Sequence, residues 1–416
     1  MEITRRSMMV GGAAALGSLT LGRSRAWAEP APARNLVLVV AYGGWDTTYA
    51  LDPKPGITGI DAPIGEIVEL GVPIFDHASR PATRGFFEAF GERVTLVHGL
   101  QVQSLVHADC SKRVLTGTQS DTNPDVGAIT AFELGAERPV PYFVLGQTSY
   151  AGPYASIAAR AGTANQLGTL LEPAAGYPVV GVAPFALDGD EQALVRTHVL
   201  ARAQRRLAER GAQGSNRAKL EDFIASLQRG DDLRAIGALG DLDYTRDLGV
   251  QAQLAISALE RELSWAVQIE TGSFDTHTAN EGQIVQHELL FAGLTALVEG
   301  LAATPGKHAG GSLLDETVIA VVSEMGRTPL LNAAGGKDHW PITSAMVLGG
   351  GLPGGRVLGA TDDALSGRAI DLATGAVKEG GTTLAYGNFA AGLLEAVGVD
   401  ASLHLPNAEP LHALRG

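Results

Sequence analysis

The stretch from Val318 to Trp340 constrains the fold of this chain more than any other. It begins with Val-Ile-Ala-Val-Val, a continuous apolar and mostly β-branched run that is typical of a strand buried on both faces of a parallel sheet. Glu324 and Arg327 follow at once, and Asp338 and His339 come later in the same loop. In open α/β sheets, sites form where loops leave the carboxyl ends of strands. The stretch therefore predicts an α/β fold with chemically active side chains at one edge of a largely parallel sheet.

Three further apolar runs repeat this pattern of a buried strand that ends in polar residues. They are Asn35 to Ala41 before Asp46, Arg93 to Leu100 before His107, and Ala266 to Glu270 before Asp275 and His277. His107 lies where a helix is predicted to begin, and the unpaired N–H groups of a helix start favour an anion or a nucleophile. Asp46 has a simpler alternative role, as the cap of a plain turn.

The region from about residue 190 to 266 has a different pattern, which is helical and heavily charged. Such charge runs are most simply the solvated faces of helices. We therefore predict a helical insertion or cap on the sheet here, within a single domain of residues 29–416.

Residues 1–28 are predicted to be an export signal rather than part of the fold. Arg5 and Arg6 precede an apolar run of small residues, and Ala26-Trp27-Ala28 has the pattern of a cleavage site. The arginine pair resembles a twin-arginine signal, with an ordinary secretion signal as the alternative. No later apolar run reaches the roughly 18 residues needed to cross a bilayer. We therefore expect a periplasmic or secreted protein that meets the twin-arginine export machinery and has no transmembrane anchor after cleavage.

Composition argues against nucleic acid as a partner. The net charge is −14 at pH 7, whereas nucleic-acid binding requires a basic surface. Cys110 is the single cysteine, so no internal disulfide is possible.

The polar residues at the predicted strand ends form a set of oxygen and nitrogen ligands. The candidate metal ligands are Asp46, Asp275, His277, Glu324, Asp338 and His339, with His107 beside them. Carboxylates and imidazoles without thiolates suit zinc, manganese or a similar divalent ion in a hydrolytic site. Asp275 and His277 are on the same side of an extended chain, so both can reach one ion. The set predicts one or two divalent ions per chain, zinc first, with manganese or calcium as alternatives.

Five motifs in this chain resemble the DUF1501 family of exported bacterial proteins. They are Gly-Gly-Trp-Asp at 43–46, Leu-Asp-Pro-Lys-Pro-Gly at 51–56, Phe-Asp-Thr-His at 274–277, Ser-Glu-Met-Gly-Arg-Thr-Pro at 323–329 and Gly-Gly-Lys-Asp-His-Trp at 335–340. That family is similar in turn to the alkaline phosphatase and sulfatase superfamily. The resemblance implies an alkaline-phosphatase-like fold, with helices on both sides of the central sheet, two divalent metals and a nucleophile at a helix start.

Residue by residue, the resemblance implies one intact metal set and one altered set. The intact set comprises Asp275, His277 and His339. The altered set comprises Asp46, Glu324 and His107. Met325 stands where the superfamily has a histidine ligand, and His107 is the residue that can supply the missing imidazole.

Two roles are open for His107. The segment 107–117 resembles the sulfatase segment that carries the nucleophile, and in that alignment His107 occupies the position of the nucleophile. It is either a ligand beside a metal-activated water or itself the nucleophile, through a phosphohistidine. Arg327 is a candidate clamp for an anionic ester, helped by Lys337, with an ion-pair role as the alternative. Cys110 does not align with the nucleophilic cysteine of sulfatases, because it lies three residues beyond the nucleophile position in that alignment.

Two functional hypotheses follow from these residues. The first is an exported, metal-dependent hydrolase of a small anionic phosphate or sulfate ester that uses a metal-activated water. The second is a catalytically silent relative that keeps the fold and binds a metal or serves in assembly.

Overall fold

A computed structural model describes residues 32–120, 122–161, 187, 189–209, 215–235, 247–308 and 311–416. The predicted export signal, residues 1–28, lies outside the described residues.

The described strands and helices are numbered in chain order. The strands are β1 (Asn35–Ala41), β2 (Glu66–Glu69), β3 (Pro73–Asp76), β4 (Val94–Gln101), β5 (Tyr142–Val144), β6 (Ala158–Arg160), β7 (Ala266–Thr271), β8 (Thr317–Val322), β9 (Gly326–Arg327), β10 (His339–Trp340), β11 (Ile342–Gly349), β12 (Arg356–Leu358), β13 (Ala369–Ile370) and β14 (Thr382–Thr383). The α-helices are α1 (Pro81–Phe90), α2 (His107–Thr116), α3 (Val126–Gly135), α4 (Gly189–Glu209), α5 (Ser215–Ala235), α6 (Leu248–Glu260), α7 (Gly282–Ala303) and α8 (Tyr386–Ala396). Short 3-10 helices span Thr47–Tyr49, Gly91–Arg93, Gly152–Ile157, Leu313–Glu316, Ala401–Leu403 and His412–Leu414.

Eight strands form the central sheet, in the order β12-β4-β11-β8-β1-β7-β5-β6. Strand β11 is antiparallel to both of its neighbours, β4 and β8, and every other pairing in this sheet is parallel. The α/β prediction with a largely parallel sheet is therefore confirmed. Because β11 reverses direction between them, β4 and β8 run the same way. The carboxyl ends of β1, β4, β7 and β8 consequently meet at one edge of the sheet.

Alternate residues of β1 face two separate hydrophobic layers, as the two-residue period of a strand requires. Val37 and Val39 pack with α1, α6 and α7 on one face of the sheet. Leu36 and Leu38 pack with α2, α3 and α8 on the other face. Both faces of the sheet are covered by helices, which explains why β1 and β8 are apolar at almost every position.

Among the described helices, α7 is long and apolar enough to cross a membrane on length and composition alone. Its residues Leu290, Leu294 and Leu297 are 0% exposed and belong to the core layer beneath the sheet. Burial in this core layer, against helices α1 and α6, accounts for the apolar character of this helix.

The region predicted to be a helical insertion contains α4, α5 and α6. Helices α4 and α5 contact each other. Helix α6 differs, because Ala252, Ala255 and Leu259 lie in the core layer with α7. It ends at Glu260, before strand β7.

Candidate metal centre

The carboxyl edge of the sheet brings most of the predicted site residues into one cluster. The members are His107 at the start of α2, Asp275 and His277 after β7, Glu324 after β8, and Asp338 and His339 at β10. Residues that are far apart in the chain meet here because their strands end at the same edge.

His107 is held from behind by a buried carboxylate. Its Nδ1 lies 2.8 Å from Glu324 Oε1, and Glu324 is 0% exposed. The backbone N–H of Gly43 donates to the same oxygen at 2.8 Å, and the Ser323 hydroxyl lies 3.3 Å from the other. The hydrogen bond to Glu324 is the main cause of the raised pKa of His107. Since a carboxylate only accepts, Nδ1 carries the proton, and Nε2 is the atom left for chemistry.

Nε2 of His107 faces Asp275, which lies at the centre of the cluster. This nitrogen is buried, has no hydrogen-bond partner among the described residues, and lies 3.4 Å from Asp275 Oδ2. Arg327 donates to Asp275 Oδ1 at 2.6 Å. Burial works to raise the pKa of Asp275, but the hydrogen bond and charge of Arg327, and then the charge of His107, lower it overall. Asp275 is therefore an ionised, oriented carboxylate.

His277 and His339 complete the cluster, with their Nε2 atoms facing each other at 2.9 Å. Each of these atoms also lies close to Asp275 Oδ1, at 3.2 Å for His277 and 3.4 Å for His339. The Nδ1 atom of His277 is 2.9 Å from Asp338 Oδ1, and that of His339 is 2.7 Å from the Leu105 carbonyl oxygen. The hydrogen bond from His277 is the main cause of the lowered pKa of Asp338. Both rings thus have an acceptor at Nδ1 and direct Nε2 inward.

This arrangement fits a divalent metal ion. Ligand atoms of His107, Asp275 and His339 all lie within 4.8 Å of one another. The acceptors at Nδ1 are the partners that ligating imidazoles have in metal sites, where they fix the tautomer and the ring orientation. His107 Nε2 adds a buried nitrogen that has no hydrogen-bond partner within the part of the chain that the structure describes. A set of imidazoles and one carboxylate suits zinc or manganese.

Asp46, predicted as a metal ligand, is not brought into this cluster. Its carboxylate is fully buried, accepts from the backbone N–H and hydroxyl of Thr48, and accepts from Asn280 at 3.0 Å. The ammonium of Lys337, also 0% exposed, lies 2.8 Å from Asp46 Oδ2. Asp46 therefore has the capping role that was its alternative, together with a buried ion pair. Lys337 is correspondingly not positioned to help bind a substrate.

Arg327, predicted to bind an anionic ester, instead binds backbone carbonyl oxygens and Asp275. Its side chain is buried and donates to the carbonyl oxygens of Gly43, of Gly44 at 2.7 Å and of Lys337 at 3.0 Å. The remaining contact is the 2.6 Å ion pair with Asp275. With these donors engaged and no exposed surface, Arg327 joins the loops and orients Asp275, which is the ion-pair alternative.

The structure also changes how the two predicted ligand sets are divided. His107 lies with Asp275 and His339 rather than in a separate set with Asp46, and Glu324 contacts the imidazole from its Nδ1 side. Met325 is 0% exposed and belongs to the hydrophobic layer. One contiguous cluster is observed among the described residues, with Glu324 behind it.

Burial of Cys110 makes its thiol unsuitable as a nucleophile. The thiol is 0% exposed, and burial raises its pKa to about 11. A thiol with such a pKa is protonated at neutral pH and is inert as a nucleophile.

Several supporting groups were not predicted from the sequence. They are the Leu105 carbonyl on His339, the Gly43 N–H on Glu324, and the Asn332 amide that donates to Asp338 at 3.1 Å. Backbone groups carry no residue-type signal, but the pair Gly43-Gly44 did mark a tight turn. Both glycines have positive φ, at 116° and 77°, and a Cβ on Gly43 would lie 2.5 Å from the Asp275 backbone nitrogen.

The comparison with family models agrees with the DUF1501 resemblance seen in the motifs. Residues 33–403 match the model of the family described as "Protein of unknown function (DUF1501)". No curated protein matches the sequence. A protein of the alkaline phosphatase superfamily from Vibrio parahaemolyticus is similar in structure, with a TM-score of 0.42 and 10% identity over 91% of this chain and 71% of that one.

Two further solved structures are similar at the same level. The PsFucS1 sulfatase from Pseudoalteromonas sp. has a TM-score of 0.37 and 10% identity, over 92% of this chain and 72% of its own. The phosphonate monoester hydrolase of Agrobacterium radiobacter has a TM-score of 0.36 and 12% identity, over 92% of this chain and 77% of its own. Each activity named here is that of the similar protein.

Proposed function

The chain belongs to the DUF1501 family, and from this premise and its own side chains we propose that it is a metal-dependent hydrolase of phosphate or sulfate esters. The observation that carries the proposal is the convergence of three imidazoles on Asp275. Their Nδ1 atoms face Glu324, Asp338 and the Leu105 carbonyl, which turns their Nε2 atoms toward one carboxylate. Nε2 lone pairs and a carboxylate that face one another are stabilised by a shared cation.

His107, Asp275 and His339 would hold the ion, with His277 beside them. A divalent ion bound there would lower the pKa of a water molecule and polarise an ester oxygen. Glu324 keeps the proton of His107 on Nδ1, and Arg327 keeps Asp275 ionised and fixed in direction. We favour the ligand role of His107 over the phosphohistidine, because its buried Nε2 faces Asp275.

Export belongs to the same proposal. The twin-arginine-like segment before residue 29 would deliver the protein to the periplasm or the medium. Replacement of Arg5 and Arg6 by lysine is expected to leave the precursor in the cytoplasm. Unimpaired export of that variant would assign the protein to the general secretion route.

Metal analysis combined with ester turnover tests the proposed function. The exported protein is expected to contain at least one divalent ion per chain and to hydrolyse aryl phosphates or aryl sulfates. Asp275→Asn should lose both the ion and the turnover, whereas His412→Ala should keep both, because His412 is exposed and pairs with Glu395. Bound metal without turnover would favour the silent metal-binding or assembly protein. A protein that takes up no metal and turns over no ester would contradict the hydrolase and leave the silent assembly protein as the alternative.

A further inference from the structure

Exposed apolar side chains lie beside the candidate metal centre. Leu105 and Val106 directly precede His107 and are 50% and 58% exposed. Tyr42 is also exposed, and its ring centroid lies 5.7 Å from that of His107. The carbonyl of Leu105 is itself bonded to His339, so this apolar surface is continuous with the cluster.

A second apolar pair lies in the loop that leads to Asp338. Leu330 and Leu331 are about half exposed. The Leu330 carbonyl accepts from the Thr328 hydroxyl, which in turn accepts from the backbone N–H of Asp338. The surface formed by Tyr42, Leu105 and Val106, beside His107, is named here the apolar rim.

The charged side chains of this region limit how much negative charge a ligand can carry. Arg327 and Lys337 are the cationic side chains of the loop after β8, and both are buried and paired with carboxylates. Neither is available to neutralise a second charge on a ligand. The chain as a whole carries a net charge of −14, which disfavours multiply charged anions.

We propose that the site binds a monoanionic ester that carries an apolar group, with that group packed on the apolar rim. This inference rests on the proposed function for the central ion and adds the class of substrate. Leu105 and Val106 would select for the apolar group, because they directly precede His107, whose imidazole faces Asp275.

Binding of phosphinates, which have no ester bond to hydrolyse, to the metal-loaded full-length protein tests this inference without relying on turnover. Diphenylphosphinate and dimethylphosphinate carry the same single charge and differ in apolar surface. Calorimetry is expected to show about tenfold tighter binding of diphenylphosphinate, the size expected when part of a phenyl ring leaves water. Phenylphosphonate, with a second charge near neutral pH, is expected to bind no more tightly than diphenylphosphinate.

Two variants in the apolar rim and one distant control variant test whether the rim causes the difference in affinity. Val106→Ser and Leu105→Ser should each reduce the phenyl-to-methyl ratio to within about threefold. Val106 is the N-cap of α2 and provides no side-chain cap, so serine there adds a favourable cap and the helix start is kept. Leu403→Ser is the control, because Leu403 is 70% exposed on a separate 3-10 helix and should leave the ratio unchanged.

The outcomes distinguish this inference from the proposed function. A tenfold ratio that disappears in the rim variants supports the inference even when no ester is hydrolysed. A ratio near one in the unmodified protein overturns it, as does tighter binding of phenylphosphonate by tenfold or more. A change of oligomeric state in Val106→Ser with no change in the ratio would assign the rim to a second copy of the chain, and would also overturn it.

Discussion

The Nε2 atoms of His277 and His339 lie 2.9 Å apart, while each ring has a fixed acceptor at Nδ1. When both Nδ1 atoms carry the proton, two lone pairs face each other beside an ionised Asp275. A proton or a metal ion relieves that repulsion. The pair therefore couples the stability of the folded protein to cation binding.

Metal addition should stabilise the folded chain through this pair. At a free ion concentration about 100 times the Kd, mass action predicts about 2.7 kcal/mol of stabilisation. The midpoint of thermal unfolding should rise with zinc or manganese and fall again with a chelator. His339→Ala should remove most of the rise, whereas His404→Ala should keep it, because His404 pairs with Glu133 elsewhere. An equal rise in both variants would contradict the assigned site.

Replacement of the buried carboxylate behind His107 should weaken metal binding without abolishing it. Glu324→Gln keeps the shape but weakens the acceptor for Nδ1 and for the Gly43 N–H. Loss of such an orienting partner typically reduces metal affinity by about 10–100-fold. A competition titration with a metal indicator measures the effect, and Glu395→Gln is the matched control at an exposed His–Glu pair. Unchanged affinity in Glu324→Gln would show that His107 is not a ligand.

A side chain at Gly43 should disrupt the centre. The residue has φ +116°, and an added Cβ would lie 2.5 Å from the Asp275 nitrogen and 2.8 Å from the Phe274 nitrogen. Gly43→Ala should lower the free energy of unfolding by at least about 2 kcal/mol and reduce metal uptake. Gly56→Ala is the control, because its φ is also positive, at +74°, but there is open space around the added Cβ. It should cost only about 1 kcal/mol and keep the metal.

The buried ion pair between Lys337 and Asp46 should be strongly coupled. Lys337→Met leaves the Asp46 carboxylate buried without its cation, which typically costs about 3–5 kcal/mol of folding stability. The double variant Asp46→Asn with Lys337→Met should recover part of that loss, because no unpaired charge remains. Chemical denaturation of the two single variants and the double variant gives the coupling energy. Strictly additive losses would indicate that the two side chains do not interact.

His287 should make the protein sensitive to mild acid. It is fully buried among Trp45, Phe274 and Phe291, and neither ring nitrogen has a well-directed hydrogen bond to any residue that the structure describes. Burial, followed by the charge of Arg80, lowers its pKa to about 3. The unfolded chain binds a proton near pH 6.5, so this histidine reduces stability as pH falls from about 6.5 and its effect levels off below about 3.

At pH 5 the expected loss from His287 is about 2 kcal/mol relative to neutral pH. His287→Phe should reduce the difference in unfolding free energy between pH 7.5 and pH 5 by about that amount. Any steric cost of the larger ring cancels in this difference. His77→Phe, at an exposed position, should leave the difference unchanged. A full pH dependence in His287→Phe would show that other groups cause the acid sensitivity.

Local sequence patterns predicted the strands that carry the site. The run Asn35–Ala41 is strand β1 with the same bounds, and the runs before His107, Asp275 and Glu324 are β4, β7 and β8. The α/β class and the use of the carboxyl edge followed from those runs alone. The hairpin of β2 and β3 and helices α1 and α3 were not predicted, although Pro81 and Asp125 are start signals for the two helices.

The role of each polar side chain depended on the tertiary structure. Glu324 and His107 are in contact because β4 and β8 both pair with β11, a strand that comes later in the chain than either. Arg327 and Lys337 were reasonable substrate-binding candidates by residue type, yet loop packing buries both against carboxylates. The strands, their polar ends and the family could be read from the residues alone. The partner of each side chain could not, because burial and contact depend on which loops meet, and strand order sets that at long range.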